Sequence, residues 1–167
     1  AQVYGQIGDQ SPDLDDTALL KKAFLTVQDL IDQDMILAGH DRSDGGLITT
    51  VLEMAFSGNC GLELEMETTA SALAALFSEE LGLVIECRPE ALDQLTGLLA
   101  DQEIPCQVLG RSTAEKQIRI RCNHELVLDL AMIELRRVWE ETSHQLDRLQ
   151  CDPVCADEEK GTIYDRT

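Results

Sequence analysis

The stretch His40-Asp41-Arg42-Ser43-Asp44-Gly45-Gly46-Leu47, HDRSDGGL, sets two carboxylates, a hydroxyl and two adjacent glycines between two apolar segments of different period. The run before it, MILAGH at residues 35–40, is short and suits a buried strand. After it, Leu47, Ile48, Val51, Leu52 and Ala55 recur at helical spacing until Gly58 or Gly61 offers a stop. The motif therefore sits where a strand hands over to a helix amino terminus, and the elements on either side extend that alternation.

Upstream, Leu19, Leu20, Ala23, Phe24, Val27, Leu30 and Ile31 predict a helix from Asp16 to about Gln33, with Asp15 or Asp16 as its cap. Downstream, GLELEM (61–66) alternates as a half-buried strand, ALAALFSEE (72–80) is a short helix and GLVIEC (82–87) a strand. PEALDQLTGLLADQ (89–102) is helical, IPCQVLGR (104–111) strand-like, and residues 116–130 read as a hairpin turning at Asn123 and His124. A long helix from about Ala131 to Leu149 follows; Trp139 and the EETSHQLDRLQ after it form a specific surface on it, though a core anchor is the role expected of Trp139 itself. Strands and helices interleave, but a hairpin lies among them. The expected class is α+β, a mixed β-sheet layered with helices.

Composition limits what such a domain does. The chain has 167 residues, 44% of them hydrophobic, enough for a core without disulfides or a structural metal. Its 32 acidic against 13 basic residues give a net charge of −19, which opposes nucleic acid and anionic membranes as partners. No apolar run approaches a membrane span. Six cysteines at 60, 87, 106, 122, 151 and 155 form no CxxC pair and follow no secretory signal, so reduced thiols in a cytoplasm are expected. Residues 1–15 read as the tail of a preceding module or a linker, 16–150 as a single α/β module, and 151–167 as a polar segment or linker.

At a helix amino terminus, unpaired N–H groups and about half a positive charge attract anions such as phosphate. Gly45 and Gly46 remove the Cβ atoms that would hold a ligand off the backbone. Asp41 and Asp44 repel phosphate themselves, yet carboxylates hold Mg²⁺, and Mg²⁺ bridges to phosphate oxygens. Ser43 adds a small donor for a phosphate oxygen or the nucleoside. The combination reads as a metal-nucleotide contact. The competing account is that Ser43 or Asp44 caps the helix within a tight turn, with no ligand at all. A calcium loop fails on spacing: with Asp41 at position one and Gly46 at six, the bidentate Glu position falls on Leu52. Neither common phosphate-loop signature occurs.

Other candidates are weaker. His40 is a possible base or metal ligand, though a lone histidine ending an apolar strand more often bonds locally. Cys151 and Cys155 with His144 have an unconvincing zinc spacing, and no cysteine has the basic setting of a reactive thiolate. Glu79 and Glu80 stand at a helix carboxyl end, where acids oppose the dipole; this hints at packing against another domain, or an exposed turn.

Three segments in this order, AGHDRSDGGLITTVLEMAFSGNCGLEL, LFSEELGLVIE and RVWEETSHQLDRLQCDPVCADEE, closely resemble the end of the synthetase region in the phosphoribosylformylglycinamidine synthase family. The likeness is to the long form, in which synthetase and glutaminase domains share one chain, and it extends over most of residues 1–160. It implies an ATP-dependent carbon–nitrogen ligase of purine biosynthesis that makes formylglycinamidine ribonucleotide with ammonia from glutamine. It also implies the fold of the aminoimidazole ribonucleotide synthetase carboxy-terminal domain, here as the second such module. In that family the first Asp of D-x-S-D-G-G is a magnesium ligand, which falls on Asp41, and the Ser contacts nucleotide, which falls on Ser43. Asp44, Gly45 and Gly46 match the motif and are expected to set loop geometry. The implied cofactors are Mg²⁺ and ATP or ADP, at a site resembling the family's structural ADP site. The implied partners are the other synthetase modules and the glutaminase domain, which carry the remaining ligands and the Cys-His-Glu set, so the isolated module is expected to be inactive.

Overall fold

Helix α1 (Thr17–Asp32) starts where Asp16 lends its carboxylate to the N–H groups of Ala18 and Leu19, both at 2.9 Å, and Gln33 ends it. The computed structural model describes residues 13–162 and Gly5; the rest of 1–12, within the tail expected over 1–15, and residues 163–167 lie outside the described residues. The chain divides into two compact units, residues 1–51 with 73–107 and residues 52–72 with 108–167.

In the first unit, β1 (Ala38–Asp41) pairs antiparallel with β3 (Leu83–Glu86), from Ala38 opposite Glu86 to Asp41 opposite Leu83. β1 is mostly exposed, which corrects the buried strand expected of MILAGH. Each strand of this two-stranded ribbon has one neighbour, so no second strand shields it. α2 (Gly46–Gly58), whose residues 46–51 belong to this unit, leaves β1 through the motif, and α3 (Ala72–Phe77), in this unit from Leu73, precedes β3. A single 3₁₀ turn at Pro89–Ala91 leads into α4 (Leu92–Asp101). The core here is Leu30, Met35, Leu95 and Leu99, with Ile36, Ile85, Cys87 and Ile104 against it.

The second unit carries the mixed sheet, in the order β4 (Gly110–Thr113), β2 (Gly61–Met66), β5 (Gln117–Cys122), β6 (Glu125–Ala131). Only β2 and β5 run parallel. Their alternation sorts the faces as the sequence predicts: Leu62, Leu64 and Met66 lie opposite Ile118, Ile120 and Cys122, and both isoleucines are fully buried. On the other face Glu63 and Asp129 flank Arg119, whose guanidinium also binds Glu115. The β5–β6 turn is the expected two-residue turn, with φ of 50° at Asn123 and 69° at His124. The strand expected over 104–111 is shorter: its ladder begins at Gly110, preceded by one bond from the Glu65 N–H to the Leu109 carbonyl. Pro105 has no N–H to give a ladder.

The final long helix, α5 (Met132–Gln150), is followed by α6 (Pro153–Gly161), within the segment expected to be polar linker. His144 on α5 is bonded at both ring nitrogens, to Asp157 at 3.0 Å and Lys160 at 3.2 Å, and Lys160 also binds Glu141. The hydrogen bond from Lys160, then that from Gln145, holds the Glu141 carboxyl below its ordinary value. Trp139 is 50% exposed, which corrects its assignment to the core. Its indole N–H donates to Glu53 at 2.9 Å and its ring tilts against Phe56 with centroids 5.6 Å apart. A polar group on the ring explains the compromise: the indole covers Phe56 while its N–H stays on the charged surface.

Candidate functional site

HDRSDGGL bridges the end of β1 and the start of α2, and the backbone is shaped by both glycines. Gly45 and Gly46 have φ of 83° and 72°, the left-handed region that other residues enter at a cost. A Cβ on Gly46 would lie 2.6 Å from the Phe77 carbonyl carbon, 2.8 Å from the Ser78 oxygen and 2.9 Å from the Leu76 oxygen. The loop is thus pressed onto the backbone at the carboxyl end of α3, at a distance only glycine allows, and the turn that follows α3 lies beside it.

That same turn holds the loop through hydrogen bonds. The Arg42 N–H donates to the Gly82 carbonyl at 2.8 Å, and its guanidinium Nε and Nη2 donate to the Glu80 and Leu81 carbonyls at 2.5 and 3.4 Å. The Gly45 N–H donates to Glu79 Oε1 at 2.9 Å, and the Gly46 N–H to the Ser43 carbonyl at 2.9 Å. The buried Thr50 hydroxyl lies 3.2 Å from the Asp41 carbonyl oxygen and 3.1 Å from that of Gly46, sharing one proton between them.

The side chains that carry chemistry stand outside this frame. Asp41 keeps its carboxylate 67% exposed, 3.4 Å from His40 Nδ1. His40 Nδ1 also donates to the Asp41 carbonyl oxygen at 2.7 Å, the local bonding weighed against a ligand role. Ser43 and Asp44 are exposed, and among the described residues no hydrogen bond ties either side chain to α2. The first N–H groups of a helix have no partner inside it; here the Gly46 N–H is met by the Ser43 carbonyl, and Asp41, Ser43 and Asp44 stand exposed beside the amino end of α2.

The structure therefore brings Asp41, Ser43, Asp44, Gly45 and Gly46 into one loop. It adds Arg42, Thr50 and Glu79 as its fasteners, which sequence reasoning missed. The available signal was the acid pair after α3, unfavourable for the helix dipole unless something else used it. Cys151, Cys155 and His144 gather no metal set: both cysteines are exposed and free, and among the described residues no three His, Cys, Asp or Glu side chains converge on a metal position. Among the described residues no helix is long and apolar enough to cross a membrane.

Comparison with known proteins places the fold. The sequence pattern of the family described as AIR synthase related protein, C-terminal domain, matches residues 1–123. The human phosphoribosylformylglycinamidine synthase is 43% identical over 170 residues, covering 99% of this chain and 13% of that relative. Among solved structures, Thermotoga maritima PurL complexed with ATP superposes over 67% of this chain and 20% of its own, with a TM-score of 0.62 at 15% identity. The same protein complexed with FGAR covers 69% of this chain and 20% of its own, with a TM-score of 0.62 at 16% identity. Sequence pattern, relative and mixed α/β architecture agree, and the chain belongs to the family of AIR synthase related protein C-terminal domains, in the form carried by phosphoribosylformylglycinamidine synthase.

Proposed function

We propose that this chain is a module of an ATP-dependent carbon–nitrogen ligase of purine biosynthesis, which converts formylglycinamide ribonucleotide to formylglycinamidine ribonucleotide with glutamine-derived ammonia. Its loop completes a magnesium-nucleotide site, the structural ADP site, together with a partner module of the same parent chain. Asp41 is the metal ligand, Ser43 the nucleotide contact, and Asp44, Gly45 and Gly46 give the loop its shape. The other synthetase modules and the glutaminase domain are the remaining partners, and the module alone is inactive. The proposal draws on the likeness to an enzyme of which this chain spans 13%. It also draws on the ATP and ADP named for the PurL structures that share the fold.

The observation that carries it is the division of labour in the loop. Arg42, Thr50, Glu79 and the glycines hold the backbone, while the carboxylate of Asp41 and the side chains of Ser43 and Asp44 are left exposed at a helix amino terminus. A loop whose purpose was to cap α2 would bond Ser43 or Asp44 to the helix N–H groups. The exposed carboxylate of Asp41 fits Mg²⁺, a hard cation that takes one or two protein oxygens and fills its other positions with water and phosphate. It does not fit a closed metal cage, in line with a site shared with another module. When bound, the metal would neutralise phosphate charge beside a surface that is otherwise acidic.

The test compares the intact enzyme with its Asp41→Asn variant. The proposal expects the purified variant to lose bound nucleotide and magnesium while its circular dichroism is unchanged. Full retention of both would leave the loop as a turn and helix cap in a structural or interaction module.

A further inference from the structure

We infer that Glu79 is a positioning residue for the nucleotide loop, acting through the Gly45 N–H on Ser43 and Asp41; this rests on the function proposed for that loop. Two contacts bracket the exposed pair Ser43-Asp44. On the amino side, Arg42 is fastened by its N–H to Gly82 and by its guanidinium to the carbonyls of Glu80 and Leu81. On the carboxyl side, Gly45 is fastened by its N–H to Glu79 Oε1 at 2.9 Å. One short turn, residues 79–82, supplies both brackets, so the place of Ser43 is set by the turn rather than by its own side chain.

Glu79 has no other evident use where it stands. It follows α3, whose carboxyl end disfavours an acid, and its neighbour Glu80 serves Arg42 through a backbone carbonyl that any residue would offer. The side chain of Glu79, by contrast, is specifically consumed by Gly45. Because Gly45 and Gly46 both adopt positive φ, the backbone there has many alternatives open to it. A carboxylate accepting the Gly45 N–H selects one of them, the one in which the Gly46 N–H closes the turn onto the Ser43 carbonyl.

The hydrogen bond needs an acceptor more than a charge, which gives the test its conservative control. In the intact enzyme with bound ADP and Mg²⁺, exchange of bound against labelled ADP is measured for wild type, Glu79→Ala, Glu79→Gln and Asp41→Asn. Removing one hydrogen bond of ordinary net strength predicts about three- to tenfold faster exchange for Glu79→Ala. Glu79→Gln, whose amide oxygen still accepts from Gly45, stays within about twofold of wild type. Asp41→Asn is purified without ADP. A merely structural Glu79 would lower the melting temperature and leave ADP exchange untouched well below it. Unchanged exchange in Glu79→Ala beside an empty Asp41→Asn overturns the positioning role alone, as does a Gln variant as impaired as the Ala variant. Full ADP content in Asp41→Asn overturns the proposed function of the loop instead.

Discussion

Replacing Gly46 by alanine tests whether the loop is shaped by its close approach to the carboxyl end of α3. The substitution meets two independent penalties. Holding a non-glycine residue at a φ of 72° costs about 1–2 kcal/mol. The new Cβ also falls 2.6–2.9 Å from three backbone atoms of Leu76, Phe77 and Ser78. Backbone cannot rotate away as a side chain does, and overpacking of this kind costs about 1–3 kcal/mol. Together these give a loss of about 2–5 kcal/mol, a large part of the about 5–15 kcal/mol that stabilises a typical protein. Gly45→Ala is the internal control. Its φ of 83° carries the same conformational penalty, but its Cβ meets only Thr49, with the nearest atom, the hydroxyl oxygen, at 2.2 Å. Rotating Thr49 removes the closest of these contacts, so Gly45→Ala stays near the conformational penalty of about 1–2 kcal/mol. Urea unfolding of each variant, followed by far-ultraviolet circular dichroism, gives the comparison. A Gly46→Ala variant within about 0.5 kcal/mol of wild type, or more stable than Gly45→Ala, would refute the account of the loop's shape.

Two further outcomes follow from the same geometry. Thr50→Val keeps the buried volume but removes the hydroxyl shared between the Asp41 and Gly46 carbonyls, and urea unfolding should show a loss of about 0.5–1.5 kcal/mol. On α5, Glu141 has its carboxyl lowered by hydrogen bonds from Lys160 and Gln145, so the stability it contributes is present above the ordinary glutamate value of about 4.3 and is lost as pH falls through the lowered one. Hydrogen-exchange protection in α6, taken relative to the intrinsic rate at each pH, should therefore fall on acidification below about pH 4. Lys160→Met should remove most of that dependence, since Lys160 is the residue on α6 that holds Glu141.

Local chemistry was legible where the causes lie close in sequence. Asp16 announces the start of α1 because its carboxylate serves N–H groups two and three residues on. Asn123 and His124 announce their turn because they sit between two alternating runs and accept positive φ. Periodicity places α1 as a helix but does not say which of its apolar residues this chain covers: Leu30 is buried while Phe24 is 59% exposed. The strand expected at 104–109 fails because apolar content alone does not supply N–H partners, and Pro105 removes one. The motif residues of the site were legible as a turn at a helix start, with Asp41 and Ser43 singled out. Their fasteners were not, because Glu79 and Gly45 are 34 residues apart: the acid pair after α3 marks Glu79 as misplaced for the helix dipole but does not name its partner. On the function proposed, the donors that would complete a metal shell around Asp41 lie in another module, beyond the reach of this sequence: among the described residues no three His, Cys, Asp or Glu side chains converge on a metal position.

The most direct measurement is a crystal structure of the intact enzyme with ADP and Mg²⁺. The account predicts a carboxylate oxygen of Asp41 about 2.0–2.1 Å from a magnesium ion that also touches the nucleotide's phosphates, with Ser43 in contact with the same nucleotide. A structure with ADP and magnesium bound elsewhere, and Asp41 facing only solvent, would contradict it.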